Sequence, residues 1–108
     1  MALNVSNSDI VLTTAAQQVA VAVSPEQFAM LSVTATNTGA SAASITVYRV
    51  ASGGSAGAGN EIALESIAAG STITLPLAGM TLTNGQSLQA LASVAAQVNL
   101  NASWAQTP

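Results

Sequence analysis

Apolar side chains recur at every second position along most of the chain, the period of a strand rather than a helix. The last such run is the most regular: Val98, Leu100, Ala102 and Trp104 alternate with Asn99, Asn101 and Ser103. Residues 8–14 read as a first strand. Residues 18–23 read as a second, with Val19, Val21 and Val23 alternating against Gln18, Ala20 and Ala22. Ser24-Pro25-Glu26-Gln27 follows, with Ser at the first position of a type I turn and Pro presetting φ at the second. A loop of that length predicts a hairpin that sets Val23 opposite Phe28 and Val21 opposite Met30. The hairpin is apolar on both faces: Val21, Val23, Phe28 and Met30 form the bulkier one, and Ala20, Ala22, Ala29, Leu31 and Val33 the other. An antiparallel sheet usually turns one polar face to water. The Ala-rich face is therefore covered within the fold, or ordinary Ala on a half-exposed surface, or a protein-interaction face toward another subunit.

Thr36-Asn37-Thr38-Gly39-Ala40-Ser41 is a polar loop. Residues 43–51 are rich in β-branched and aromatic side chains and form the most strand-like run. Ile45, Val47 and Arg49 share one of its faces, so Arg49 must emerge at the strand's end or pair with Glu61 or Glu65 when buried. Residues 52–59, Ser-Gly-Gly-Ser-Ala-Gly-Ala-Gly, have the composition of a flexible linker. No Lys follows them, so they are not a phosphate loop. Ile62 and Leu64 are expected inward on the next strand, with Glu61, Ala63 and Glu65 outward. After a turn at Ala68-Ala69-Gly70-Ser71, residues 72–77 place Ile73, Leu75 and Leu77 on one face. Pro76 there implies an edge or the strand's end.

Asn84-Gly85 suits the positive-φ positions of a type I′ turn. A two-residue hairpin at that point would set Leu82 opposite Ser87 and Thr81 opposite Leu88, each leucine beside a polar residue. An odd connection centred on Gly85 matches Leu82 with Leu88 instead. This predicts a bulged hairpin, or an arch that carries the chain from one sheet to another. In residues 86–98, Leu88, Leu91, Ala95 and Val98 fit a helical stripe, but Leu88, Ala90 and Ala92 also alternate with Ser87 and Gln89. The β flanks favour a strand over 86–93 and a turn at Val94-Ala95-Ala96. About eight short strands result, with turns every eight to twelve residues or so, the pattern of a sandwich or barrel. The expected fold is all-β: a single domain over residues 1–108, an antiparallel β-sandwich of jelly-roll or immunoglobulin-like type, with residues 1–7 as a flexible arm.

Composition sharpens the picture. Half of the chain is apolar, but Ala supplies 23 of those residues and larger side chains only 31. Stabilisation scales with buried apolar area, so the core is thin, and a small domain of this kind often needs a partner or an oligomer. Charged residues are 5% of the chain, against roughly 25% in ordinary domains. There is no Lys, and Arg49 is the one cation, which argues against nucleic acid as a partner. No apolar stretch approaches the roughly 20 residues of a membrane span. No basic-then-apolar signal sequence opens the chain, so synthesis in the cytoplasm is expected. With no Cys and no His, thiolate and imidazole chemistry is absent. The acids Asp9, Glu26, Glu61 and Glu65 are scattered, and no base stands ready to activate a hydroxyl. No enzymatic activity, cofactor or metal is expected.

From Ile10 onward the chain resembles a family of small all-β virion structural proteins of tailed bacteriophages, found as capsid decoration or cement proteins or at head, neck and fibre positions. The resemblance lies in Asp9-Ile10-Val11-Leu12-Thr13-Thr14-Ala15-Ala16-Gln17, Ile45-Thr46-Val47-Tyr48 and Ile67-Ala68-Ala69-Gly70-Ser71-Thr72. It continues in Leu82-Thr83-Asn84-Gly85-Gln86-Ser87-Leu88-Gln89-Ala90 and ends in Val98-Asn99-Leu100-Asn101-Ala102-Ser103. It implies a structural component of the virion's outer surface, with the major capsid protein and further copies of itself as partners. A surface adhesion or carbohydrate-binding module is the alternative, with Tyr48 and Trp104 as its available aromatics.

Overall fold

A computed structural model describes residues 4–23 and 26–107. Nine strands form two antiparallel sheets: β1 (Asn4–Val11), β2 (Gln17–Val21), β3 (Gln27–Asn37), β4 (Ala43–Val50), β5 (Glu61–Ile67), β6 (Thr72–Thr74), β7 (Thr81–Thr83), β8 (Ser87–Ala92) and β9 (Val98–Thr107). The first sheet runs β1-β9-β3-β6, with the short β7 pairing β3 beside β6; the second runs β2-β8-β4-β5. Successive strands mostly change sheet, and the two orders interleave as in a jelly roll, two Greek keys wrapped into a double sheet. The immunoglobulin-like alternative is thereby set aside. Of the arm expected over residues 1–7, residues 4–7 belong to β1 and residues 1–3 lie outside the described residues.

The predicted hairpin between the second and third strands does not form. β2 pairs with β8, and β3 pairs with β6, β7 and β9, so the two lie in different sheets. Ser24 and Pro25 of the predicted turn lie outside the described residues; beside them, Glu26 N donates to Val23 O at 2.8 Å. What misled the period-two reading is a change of phase inside β3. Met30 faces Trp104 and Ser32 faces Ser103, so Leu31 is an extra residue in the ladder. A bulge of this kind shifts every later side chain to the other face. Phe28 and Met30 point inward before it, Val33, Ala35 and Asn37 after it, and all five are buried. β2 has its own bulge at Val19, between Gln18 and Ala20. There Val19, Ala20 and Ala22 enter the core, while Val23 is exposed.

A third bulge, at Ile62, corrects β5. Val47 pairs with Ala63 but Tyr48 with Glu61, so Ala63 and Ile67 take the inward side. Leu64, expected inward, stands outward beside Thr46 and is 61% exposed. Arg49 is exposed at the end of β4 and lies across from Leu88, while Glu65 lies across from Ile45. The solvated strand-end arginine is the arrangement found.

The Asn84-Gly85 stretch is an arch. β7 belongs to the first sheet and β8 to the second, and Leu82 and Leu88 are both fully buried. The turn chemistry is still that of type I′: φ is positive at Asn84 (54°) and Gly85 (82°), and Gln86 N donates to Thr83 O at 3.0 Å. The arch is fastened to β2 by Gly85 N to Ala22 O (2.6 Å) and Ala22 N to Gln86 O (3.0 Å). A Cβ on Gly85 would fall 2.9 Å from Ser52 Cβ and Oγ, so the Gly/Ser/Ala loop seats on the arch at this point. That loop is also tied by Asn60, whose Nδ2 donates to Ser55 O (2.8 Å) and whose Oδ1 accepts from Gly57 N (2.9 Å).

Asn37 was placed in a polar loop by its neighbours but ends β3 as a fully buried side chain. Its Nδ2 donates to Ser41 O (2.9 Å) and Ile67 O (3.0 Å), and its Oδ1 accepts from Gly39 N (2.9 Å). It thus joins β3, the following loop and the end of β5. Truncating one partner leaves the others buried and unpaired, at roughly 1–3 kcal/mol per group. Asn37→Ala should lower stability by about 2–4 kcal/mol in urea titrations, without loss of the β-type circular dichroism of the folded remainder. Gly85→Ala should lower it by about 1–3 kcal/mol through the positive φ and the clash. Adding Ser52→Gly should recover only the part due to the clash.

Candidate assembly surfaces

The outward side of the first sheet carries rows of hydroxyls and amides. The register places Val11, Asn99, Thr36 and Thr72 in one row across the strands, Asp9, Asn101, Thr34 and Thr74 in the next, and Asn7, Ser103 and Ser32 in a third. Same-face neighbours in adjacent strands lie close enough to bond. Thr36 Oγ1 meets Thr72 Oγ1 at 2.8 Å, Ser32 Oγ meets Ser103 Oγ at 3.0 Å, and Asn101 Nδ2 donates to Asp9 Oδ1 at 2.5 Å. These cross-strand bonds hold the polar side chains down along the sheet. A fourth row, Val5, Ala105, Ala29 and Thr81, is mostly apolar and lies next to the bulged Leu31.

An open depression of about 290 Å³ lies on this side, lined by Asp9, Ile10, Val11, Thr36, Asn99 and Asn101. Its one carboxylate already accepts from Asn101, and the rest of the lining is aliphatic, hydroxyl or amide. Glu26 accepts from Gln106 Nε2 at 2.6 Å; Glu61 and Glu65 are exposed on β5. Among the described residues no three acidic, imidazole or thiol groups gather where an ion could be held. The depression can offer hydrogen bonds, and the acids are too dispersed for paired acid–base work.

The five residues of the predicted interaction face do not share a surface. Ala20, Ala22 and Val33 are buried in the core, Ala29 is half-buried, and Leu31 is 48% exposed. Bulging moves Leu31 out of the strand's alternation, which a strict period of two cannot register. The aromatics do not make a platform either. Trp104 is buried and stacks on Phe28, with ring centroids 5.2 Å apart and planes at 21°; Tyr48 is half-buried. Among the described residues the exposed large hydrophobics are instead aliphatic: Val5, Val11, Val23, Leu31, Leu64 and Val94. The outward rows of Thr, Asn and Ser could have been found in the sequence as the T-x-T and N-x-N repeats Thr34-Ala35-Thr36, Thr72-Ile73-Thr74, Thr81-Leu82-Thr83 and Asn99-Leu100-Asn101.

The sequence matches no protein-family model and no curated protein. Among solved structures the fold recurs in a chain described with the words "Bacillus endospore appendages form a novel family of disulfide-linked pili". That chain aligns over 97% of this one and 85% of its own length, with a TM-score of 0.58 and 18% sequence identity. What the two share is the fold, a small all-β sandwich of two antiparallel sheets, in the other case from a pilus.

The division of the predicted face into core and surface has a direct consequence. Leu31→Glu should change stability by no more than about 0.5 kcal/mol, as for an ordinary surface site. Val33→Glu, two residues on, would place an unpaired carboxylate in the core and should abolish cooperative folding. Thermal melts followed by near-ultraviolet circular dichroism of Trp104 compare the two.

Proposed function

We propose that this chain is a non-enzymatic structural subunit, present in many copies on the outside of a tailed-phage particle as a capsid decoration or head-associated protein. The observation that carries this reading is the surface: an almost uncharged sheet face whose polar side chains bond one another across strands, with exposed aliphatic side chains beside them. A face of this kind suits packing against another protein and offers little to a phosphate or a reacting substrate. The resemblance of the strand and arch sequences to virion proteins supplies the setting, and the lack of Lys keeps the chain from packaged DNA. The partners are the major capsid protein and further copies of the chain. An adhesion or carbohydrate-binding role is weakened by the positions of Trp104 and Tyr48, since sugar platforms use exposed rings.

A filament is the second reading, favoured by the likeness to a pilus protein over nearly the whole chain. The disulfide linkage named for those pili is unavailable to this sequence, which has no cysteine. Any filament would therefore hold by packing and hydrogen bonds. Negative-stain electron microscopy of the purified protein, alone and mixed with undecorated particles, separates the two settings.

In either setting association rests on apolar contact and uncharged hydrogen bonds. Exposed ion pairs contribute only about 0–1 kcal/mol each, and one cation with four acids can form few of them. Binding to undecorated particles should change less than about threefold between low and moderate sodium chloride, and sulfate should strengthen it. A steep loss with added salt would show that Arg49 and the acids govern binding.

A further inference from the structure

We infer that the free edge of β1 is a self-pairing edge, by which two copies of this chain join their first sheets into one continuous sheet. This rests on the structural-subunit reading above and names one of its contacts. Among the described residues four sheet edges are open, and three are blunted in the ways that sheet proteins use. β6 and β7 are three residues each and are separated by Pro76. β2 is bulged at Val19. β5 is bulged at Ile62 and carries Glu61 and Glu65. β1 has eight residues, an unbroken register with β9 from Asn4 to Val11, no proline and no lysine.

Backbone geometry states which groups β1 offers. Leu12 N donates to Val98 O at 2.9 Å, in the register that pairs Val11 with Asn99. Ladder bonds alternate along an antiparallel pair, so Ser6, Ser8 and Ile10 also turn their N–H and C=O groups toward β9. Val5, Asn7, Asp9 and Val11 turn theirs to the open side. Their side chains lie on the outward face, Val5 68% and Val11 51% exposed.

Two antiparallel copies of such an edge must match odd positions with odd positions. The register with its dyad at Ser8 sets Val5 against Val11 of the second copy and Asn7 against Asp9. It uses all four open backbone positions, covers both exposed valines, and sets each aspartate beside an amide. Sliding one step in one direction sets Asp9 against Asp9, and like charges directly opposite are unfavourable. Sliding the other way sets Asp9 against Val5 and withdraws Val11 from the described strand. The edge is thus complementary to itself in one register, and the occupant is a second copy.

The test uses the full chain. Sedimentation velocity over a range of concentrations should show a monomer–dimer equilibrium. Asn7→Pro removes an N–H that points away from β9, a substitution an edge strand accepts on its open side. It should weaken dimerisation by on the order of tenfold or more while leaving the thermal midpoint of the monomer unchanged. Ser8→Cys places a thiol at the dyad in a non-hydrogen-bonded pair. Cα atoms there stand about 4.5 Å apart, within the range of about 4.4–6.8 Å that a disulfide spans. Mild oxidation should then trap a covalent dimer with Ser8→Cys but not with Asn7→Cys. If the wild type associates and Asn7→Pro associates as well, the β1 edge is not the contact, although the structural-subunit reading stands; cross-linking of Asn7→Cys in preference to Ser8→Cys would place the dyad at Asn7 and overturn the register with its dyad at Ser8. A chain that stays monomeric at every concentration and binds no particle overturns both.

Discussion

The constraint on which this structure depends is the shortage of large apolar side chains. Stabilisation by burial scales with area, and Ala, the commonest residue here, supplies little. The central strands β3, β4, β8 and β9 must therefore turn most of their larger apolar residues inward, and the sequence does not distribute them with a single phase. The bulges at Val19, Leu31 and Ile62 resolve the conflict. One extra residue in β3 allows Phe28 and Met30 on one side of it, and Val33 and Ala35 on the other, to reach the same interior. Without the bulge, half of that set would face water. The same device sets the exposed Leu31 and Leu64 on the outside, so core formation and the composition of the outer surface have one origin.

With most of the aliphatics drawn inward and few charges available, three of the four outward rows of the first sheet consist mainly of Thr, Ser and Asn. Exposed hydroxyls and amides would ordinarily be mobile and solvated, but here neighbouring strands present them to one another. The Thr36–Thr72, Ser32–Ser103 and Asp9–Asn101 contacts reduce the entropy still to be lost when another surface closes over them, which favours association between preorganised surfaces. The proposed assembly role rests on this arrangement more than on any single residue.

Much of this was legible in the sequence where local pattern and final environment agree. Val98, Leu100, Ala102 and Trp104 alternate without interruption, and β9 is the strand expected. The clash of Leu82 and Leu88 with a two-residue hairpin indicated that Asn84-Gly85 must do something else, and a change of sheet was one of the two answers. The flanking strands decided residues 86–98 against the helical stripe, as Leu88, Ala90 and Ala92 require. The bulges were not legible, because an extra residue is defined by its partner strand: Leu31 is extra only with respect to Trp104 and Ser103. For the same reason the second and third strands seemed a hairpin, Leu64 was assigned to the core, and the Ala-rich face was drawn as one surface. Asn37 was missed because its partners, Ser41, Gly39 and Ile67, converge only after β5 is in place.

On the proposed reading, an almost uncharged sheet with an edge left open at β1 is covered by another chain. Residue-resolved amide hydrogen exchange, followed at low and high protein concentration, reports that edge amide by amide. Ser6, Ser8 and Ile10 bond to β9 and should be protected at both concentrations, whereas Val5, Asn7, Asp9 and Val11 should be fast when dilute and become protected as the chain associates. Odd-numbered amides of β1 that exchange equally fast at every concentration, while the protein assembles, would contradict it.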